Sequence, residues 1–263
     1  MATPRGGAGR RSRSDRKVER PRSSSRQTER RASRTTPTAG APSDGSPPVP
    51  DDADVGLLDR GVRAQLRSLS KVNADAVAKH LVTAGELLET DPRQALAHAR
   101  AARARTARVA AVREAVGIAA YHAGEWAEAL TELRTARRIS GDPSNLPIIA
   151  DCERALGRPE RAAQALSDPD VRRLDPETRA ELLIVVSGAR RDTGQLDAAL
   201  SVLVRGGLDR DRPRPGAARL WYAYADTLVA LGRKDEAATW FAASAAQDPE
   251  GELDSAERAA ALL

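Results

Sequence analysis

The sequence predicts an all-α chain, an α-solenoid of about five antiparallel helix pairs following a disordered amino-terminal region. Three observations carry that expectation. First, a short block recurs as "TDPRQAL" (90), "GEWAEAL" (124), "GRPERAA" (157), "GQLDAAL" (194) and "GRKDEAA" (232). Each block places an alanine five residues past its first position, and the intervals between Ala95, Ala129, Ala162, Ala199 and Ala237 are 34, 33, 37 and 38 residues. A period in that range, with room for two helices per unit, marks a stacked repeat array. Second, the chain is 41% hydrophobic but only 3% aromatic, so its core must come mainly from Leu, Val and Ala, a composition that suits helices better than strands. Third, no convincing alternation of period two, the pattern of a half-buried strand, is present.

Taken from the amino terminus, residues 1–53 have few large apolar side chains and are dense in Arg, Ser, Thr, Pro and Gly. Such a segment buries too little surface to offset roughly 1–2 kcal/mol per residue of backbone ordering, so it is expected to be disordered. Its last part, "PTAGAPSDGSPPVPDD" (37–52), reads as a semi-extended spacer. Helical spacing begins at Val55 and continues through Leu58, Val62, Leu66 and Leu69, which starts a helical domain over 54–263. Asp175-Pro176 and Asn145-Leu146-Pro147 each place a capping residue ahead of a proline in the first turn. Gly124, Gly157, Gly194 and Gly232 each follow a helical run and are expected to end it in the left-handed conformation.

Charge divides the chain into the same two parts. Residues 1–35 hold 12 basic and 3 acidic side chains, a net +9, so the remainder carries −4 of the overall +5. The single Cys152 excludes an internal disulfide and reads as a small buried hydrophobe. No apolar run approaches the roughly 18 residues of a membrane span, and no apolar segment follows the basic start. Neither a membrane partner nor a secretory signal is expected, and the cytoplasm is the expected location.

The pattern resembles the tetratricopeptide repeat family, whose unit is a pair of antiparallel helices. The copy that matches best is "LWYAYADTLVALGRKDEAATWFAASAAQDP" (220–249), with Trp221, the pair Tyr224-Ala225, Gly232, Ala237, Phe241, Ser244 and the closing Asp248-Pro249. The stretch 110–143 matches through Val116-Gly117, Gly124, Trp126, Ala129, Leu133 and Ala136. In such a unit Gly117, Ala150, Ser187 and Ala225 of the first helices are expected to face Ala129, Ala162, Ala199 and Ala237 of the second. Leu133, Leu166, Leu203 and Phe241 are expected to pack toward the next unit. The chain departs from the pattern at Glu86, Glu153 and Arg190, where apolar residues are usual, and at Pro169 and Gly206 in the second helices. The middle units are therefore expected to be shortened or re-registered, with helices that end early.

The sequence offers no credible catalytic constellation. His80, His98 and His122 lack ligand spacing and read as isolated surface or core residues. There is no phosphate loop ending in Lys-Ser or Lys-Thr, no Gly-x-Ser-x-Gly turn, and the glycine-rich "PRGGAGR" (4–10) has no strand before it. No enzyme, cofactor or metal is expected. The arginines of "HARAARARTARVAAVRE" (98–114) point several ways on a helix and are expected to form local i,i+4-type pairs rather than a nucleic-acid stripe.

What the resemblance implies is a protein-binding scaffold whose partner, a peptide or helix, lies in a concave groove along the first helices. By position that marks Tyr121, His122, Asp151, Arg154, Ile184, Arg191, Tyr222 and Asp226. A groove that captures chaperone carboxyl termini would carry Lys and Asn where this chain has His80 and Ala84, so that use is not expected. The competing reading is an RNA- or ribosome-associated adapter, with residues 1–35 in electrostatic contact with nucleic acid. The tail has no aromatic to stack on bases, so such contact would not select sequence. Serines beside its arginines would also suit phosphorylation, which would offset the +9.

Overall fold

A computed structural model describes residues 47–263, and among them twelve α-helices follow one another without a strand. Most of the expected tail lies outside the described residues. Asp54 caps a short 3-10 turn at Val55–Leu57, and α1 (Arg60–Leu66) follows, capped by Asp59. Five helix pairs come next. They are α2 (Lys71–Glu86) with α3 (Pro92–Arg105), α4 (Ala110–His122) with α5 (Trp126–Ser140), and α6 (Leu146–Ala155) with α7 (Pro159–Gln164). The last two are α8 (Pro176–Asp192) with α9 (Leu196–Val204), and α10 (Ala217–Ala230) with α11 (Lys234–Ala246). A final helix, α12 (Ser255–Ala261), covers α11.

Four of the five pairs close through one turn made four times. Gly124, Gly157, Gly194 and Gly232 have φ of 77°, 73°, 72° and 76°. The amide after each glycine donates to a carbonyl five residues back: Glu125 to Ala120, Arg158 to Glu153, Gln195 to Arg190 and Arg233 to Leu228, all within 2.8–2.9 Å. This is the six-to-one bond of a glycine-terminated helix, which satisfies carbonyls that the ending helix orphans. The first pair has no such glycine, and Asp91 instead accepts from the Gln94 amide at 3.0 Å to start α3. Asp175 caps α8 as the sequence predicts, accepting from the amides of Glu177 and Thr178. Asn145 does not cap α6; its side-chain amide donates 2.6 Å to Glu114, tying the third pair to the second. A longer-range carboxylate wins over the local cap.

All five recurring alanines (Ala95, Ala129, Ala162, Ala199 and Ala237) are 0% exposed. The facing partner differs from the expectation. A Cβ on Gly117 would come within 2.5 Å of Leu133 Cγ and 3.1 Å of its backbone nitrogen, so it is Leu133 rather than Ala129 that lies over Gly117. Gly117 stands seven residues before Gly124, and Ala129 and Leu133 stand five and nine beyond it, so distance from the turn does not choose between them; the larger Leu133 side chain is the one that reaches across to Gly117. Leu133, Leu203 and Phe241 are fully buried, each in a cluster that includes residues of the following unit. The middle units are shortened as predicted: α7 has six residues and gives way to 3-10 turns at Ala165–Ser167 and Pro169–Arg173, and α9 ends at Val204, before Gly206.

The histidines correct the sequence reading most clearly. His80 and His98 are not isolated: they face each other across α2 and α3 with Nδ1 atoms 3.1 Å apart, 1% and 9% exposed. Two neutral rings satisfy that contact, one donating and one accepting. His80 and Ala84 are both buried, so neither occupies a groove position. Burial, with His98 and Arg105 nearby, lowers His80 to about 4, and burial lowers His98 as well.

Two measurements check this packing. Gly85 lies in the last turn of α2 with nothing near its missing Cβ, whereas Gly117 is closed by Leu133. Gly85→Ala is expected to stabilise by up to about 1 kcal/mol through helix propensity. Gly117→Ala is expected to destabilise by about 1–3 kcal/mol through overpacking, and denaturant melts that shifted both variants the same way would contradict the register. The histidine pair gives a pH dependence. Between about pH 6.5 and 4 the unfolded His80 ring takes a proton that the folded ring resists, and His98 acts in the same direction, so stability falls as pH falls through that window. For His80 the loss is on the order of 3 kcal/mol. Melts of His80→Leu/His98→Leu should show a flatter slope there, and an unchanged slope would assign the acid sensitivity elsewhere.

Candidate functional site

The first helices carry a chain of polar contacts that crosses from unit to unit. It starts on α4, where the Tyr121 hydroxyl donates 2.6 Å to Asp151 of α6. Arg154, one turn further along α6, donates 2.9 Å to the other oxygen of Asp151 and 3.3 Å to Asp192 at the end of α8. Beside Asp192, Arg191 reaches Asp226 of α10. Arg258 of α12 then donates 2.6 Å to Asp226 and 2.9 Å to the Tyr222 hydroxyl, with its guanidinium 4.3 Å above the Phe241 ring centroid. Apart from the Arg154–Asp151 contact within α6, these links join side chains of successive helices in the stack. The ladder therefore measures the stacking of units as much as it decorates a surface.

Local environment sets the charge of Tyr121 and Asp226. Burial and the hydrogen bond to Asp151 push the Tyr121 phenol well above its ordinary value, so it stays a donor. Burial works to raise the Asp226 carboxyl, but hydrogen bonds from Arg258 and Arg191 outweigh it and hold the group below the usual carboxylate range. Asp226 is therefore ionised at neutral pH, between two guanidinium groups.

Of the eight residues marked by the sequence, six fall on this ladder: Tyr121, Asp151, Arg154, Arg191, Tyr222 and Asp226. His122 lies beside it, exposed, with Nδ1 3.8 Å from Glu89. Ile184 is half-buried and packs against the core around Trp221, so it contributes to packing between units. Sequence reasoning missed Asp192 and Arg258. The missing signal was charge recurring at the repeat period: Arg154 to Asp192 spans 38 residues, Arg191 to Asp226 spans 35 and Asp226 to Arg258 spans 32.

A second set of charges lies between other helix faces. Glu132 of α5 is 3% exposed and meets Arg103 of α3 and Arg113 of α4. Arg100 and Arg103 also reach Glu128. Arg100, Arg103 and Arg113 thus pair across helices, not through i,i+4 contacts. Glu153, where an apolar residue is usual, is 2% exposed and accepts from Arg134 at 2.6 Å and Arg158 at 3.3 Å. Its charge is paired twice, which makes its burial tolerable.

No catalytic geometry emerges from these groups. Cys152 is fully buried, and burial with Asp151 and Glu153 beside it pushes the thiol up to about 12, far from a reactive thiolate at neutral pH. Among the described residues no three His, Cys, Asp or Glu side chains gather as a metal-ligand set, and no helix is long and apolar enough to cross a membrane.

Comparison with known proteins bears on the repeats. No curated protein matches the chain. The family model for the tetratricopeptide repeat matches residues 89–143, which span α3 to α5, and residues 189–252, which run from the last turn of α8 past α11. Between the two matches lies α7, the shortest second helix. Repeats of this kind are protein–protein interaction modules. With its helix pairs, its recurring left-handed glycines and these two matched segments, the chain carries tetratricopeptide repeats.

Proposed function

We propose that the chain is a non-enzymatic scaffold that docks a peptide or helix of a protein partner along the face formed by its first helices. The observation that supports this most is the ladder from Tyr121 to Arg258, which makes one polar surface out of α4, α6, α8, α10 and α12. A surface assembled from successive units offers an extended partner several contact points at a fixed spacing. Tyr121 and Tyr222 supply half-exposed aromatic area, and His122 is free to meet a partner at the edge. Since the ladder's charges are already paired, its members set the shape and polarity of the surface, and the tyrosines and His122 are the stronger source of affinity. The cytoplasm is the proposed location.

A second reading keeps residues 1–35 as an electrostatic arm for nucleic acid, favoured by their +9 charge. The two readings part in one set of measurements. Peptides selected by display against the full chain should lose at least about tenfold in affinity, or about 1.4 kcal/mol, with His122→Ala/Tyr222→Ala. They should keep their affinity with Thr239→Ala, on the exposed face of α11. Selected peptides indifferent to the first pair of substitutions would move the site elsewhere. In parallel, RNA titrated at several salt concentrations should bind without sequence preference if the arm is used. With about six phosphates neutralised, log affinity against log salt would slope at about −4 to −5. Salt-insensitive RNA binding would contradict the arm reading.

A further inference from the structure

The shortening of α7 opens a cavity of about 740 Å³ between α5, α6 and the turns that replace the rest of α7. Its floor is one face of α6, where Leu146, Ile149, Ala150 and Glu153 recur at helical spacing. Asp151 and Arg154, which belong to the ladder, lie on a different face of the same helix. The walls bring Arg134, Arg137 and Arg138 from α5 and Arg161 from α7, with Gln164 and Ser167 at the edge.

The charges do not cancel. Glu153 is taken by Arg134 and Arg158. Asp168 is taken by Arg137, which contacts both of its oxygens at 2.7 and 2.8 Å. Asp170 is taken by Arg137 at 2.7 Å and Arg173 at 3.0 Å. Every carboxylate lining the cavity therefore already has two guanidinium contacts. Arg138 and Arg161 have no ion-pair or hydrogen-bond partner among the described residues, and both are exposed. The unmatched charge around the cavity is positive on both sides of an apolar floor.

We propose that this cavity binds an acidic peptide segment, with carboxylate side chains on Arg138 and Arg161 and an apolar side chain over Leu146 and Ile149. The guanidinium fork suits a carboxylate, which accepts two parallel N–H bonds. The amide of Gln164 and the hydroxyl of Ser167 supply further donors at the mouth. The site lies off the ladder, so it stands independently of docking along the first helices and gives the scaffold a second point of attachment of defined charge.

The test uses the full chain and a soluble probe peptide of alternating Glu and Leu, with a Lys–Leu peptide of the same length as control. Hydrogen exchange gives a local readout that binding to the basic residues 1–35 does not imitate. The Glu–Leu peptide is expected to slow amide exchange across Pro159–Asp170, the Lys–Leu peptide to leave it unchanged. Arg138→Glu/Arg161→Glu is expected to abolish that slowing and to weaken binding at this site at least tenfold, whereas Arg138→Lys/Arg161→Lys retains part of it. Both arginines are exposed and unpaired, so the variants should melt like the parent protein. Unchanged exchange across Pro159–Asp170 in the parent protein would overturn the proposal, and so would slowing that persists in the charge-reversed variant.

Discussion

Everything in this molecule depends on how closely two antiparallel helices approach within each pair. Five alanines at near-constant intervals, all 0% exposed, set that approach, and in the second pair Leu133 closes directly over Gly117. A core of small residues brings backbones together but buries little apolar area per residue, at about 25 cal/mol per Å². A single pair is therefore too small to stand alone, and each must share its large side chains with its neighbours. Leu133, Leu203 and Phe241 do so, and most of the aromatic residues gather in the last pair, where Trp221, Tyr224 and Trp240 pack edge to face. Stability in such an array accumulates along the chain from one interface to the next.

Charge reinforces the same interfaces. Glu132 and Glu153 are both buried and each is held by two arginines, in contacts that link α3, α4 and α5 in one case and α5 to α6 in the other. Removing water from a carboxylate is costly, and the attraction of paired guanidinium groups offsets that cost only while both remain in place. These pairs define which unit stacks on which more than they add net stability. The ladder from Tyr121 to Arg258 does the same on the first-helix face, so the surface proposed for partner docking and the joints of the solenoid share their residues.

What could be read from the sequence was what repeats or acts locally. The left-handed glycines, the Asp175 cap and the buried alanines each follow from a few neighbouring residues, and the short α7 follows from Pro169 falling where a second helix should continue. What could not be read depends on the rotational phase of two helices at once. His80 and His98 are separated by 18 residues and meet only because α2 and α3 turn their buried faces together. Asn145 serves Glu114 instead of its own helix for the same reason. The register across the turn, with Leu133 and not Ala129 over Gly117, needed the antiparallel geometry as well as the period. Of the marked groove residues, Ile184 is half-buried and packs against the core around Trp221, a placement that the repeat period alone does not reveal.

Ala129→Leu tests the central claim most directly, since it inserts a branched side chain at a position with no exposed surface in the second pair. A denaturant melt with the midpoint lowered by the equivalent of about 1–3 kcal/mol is the expected result. An unchanged midpoint would contradict the account, because it would mean that the helices of that pair are not held at alanine distance.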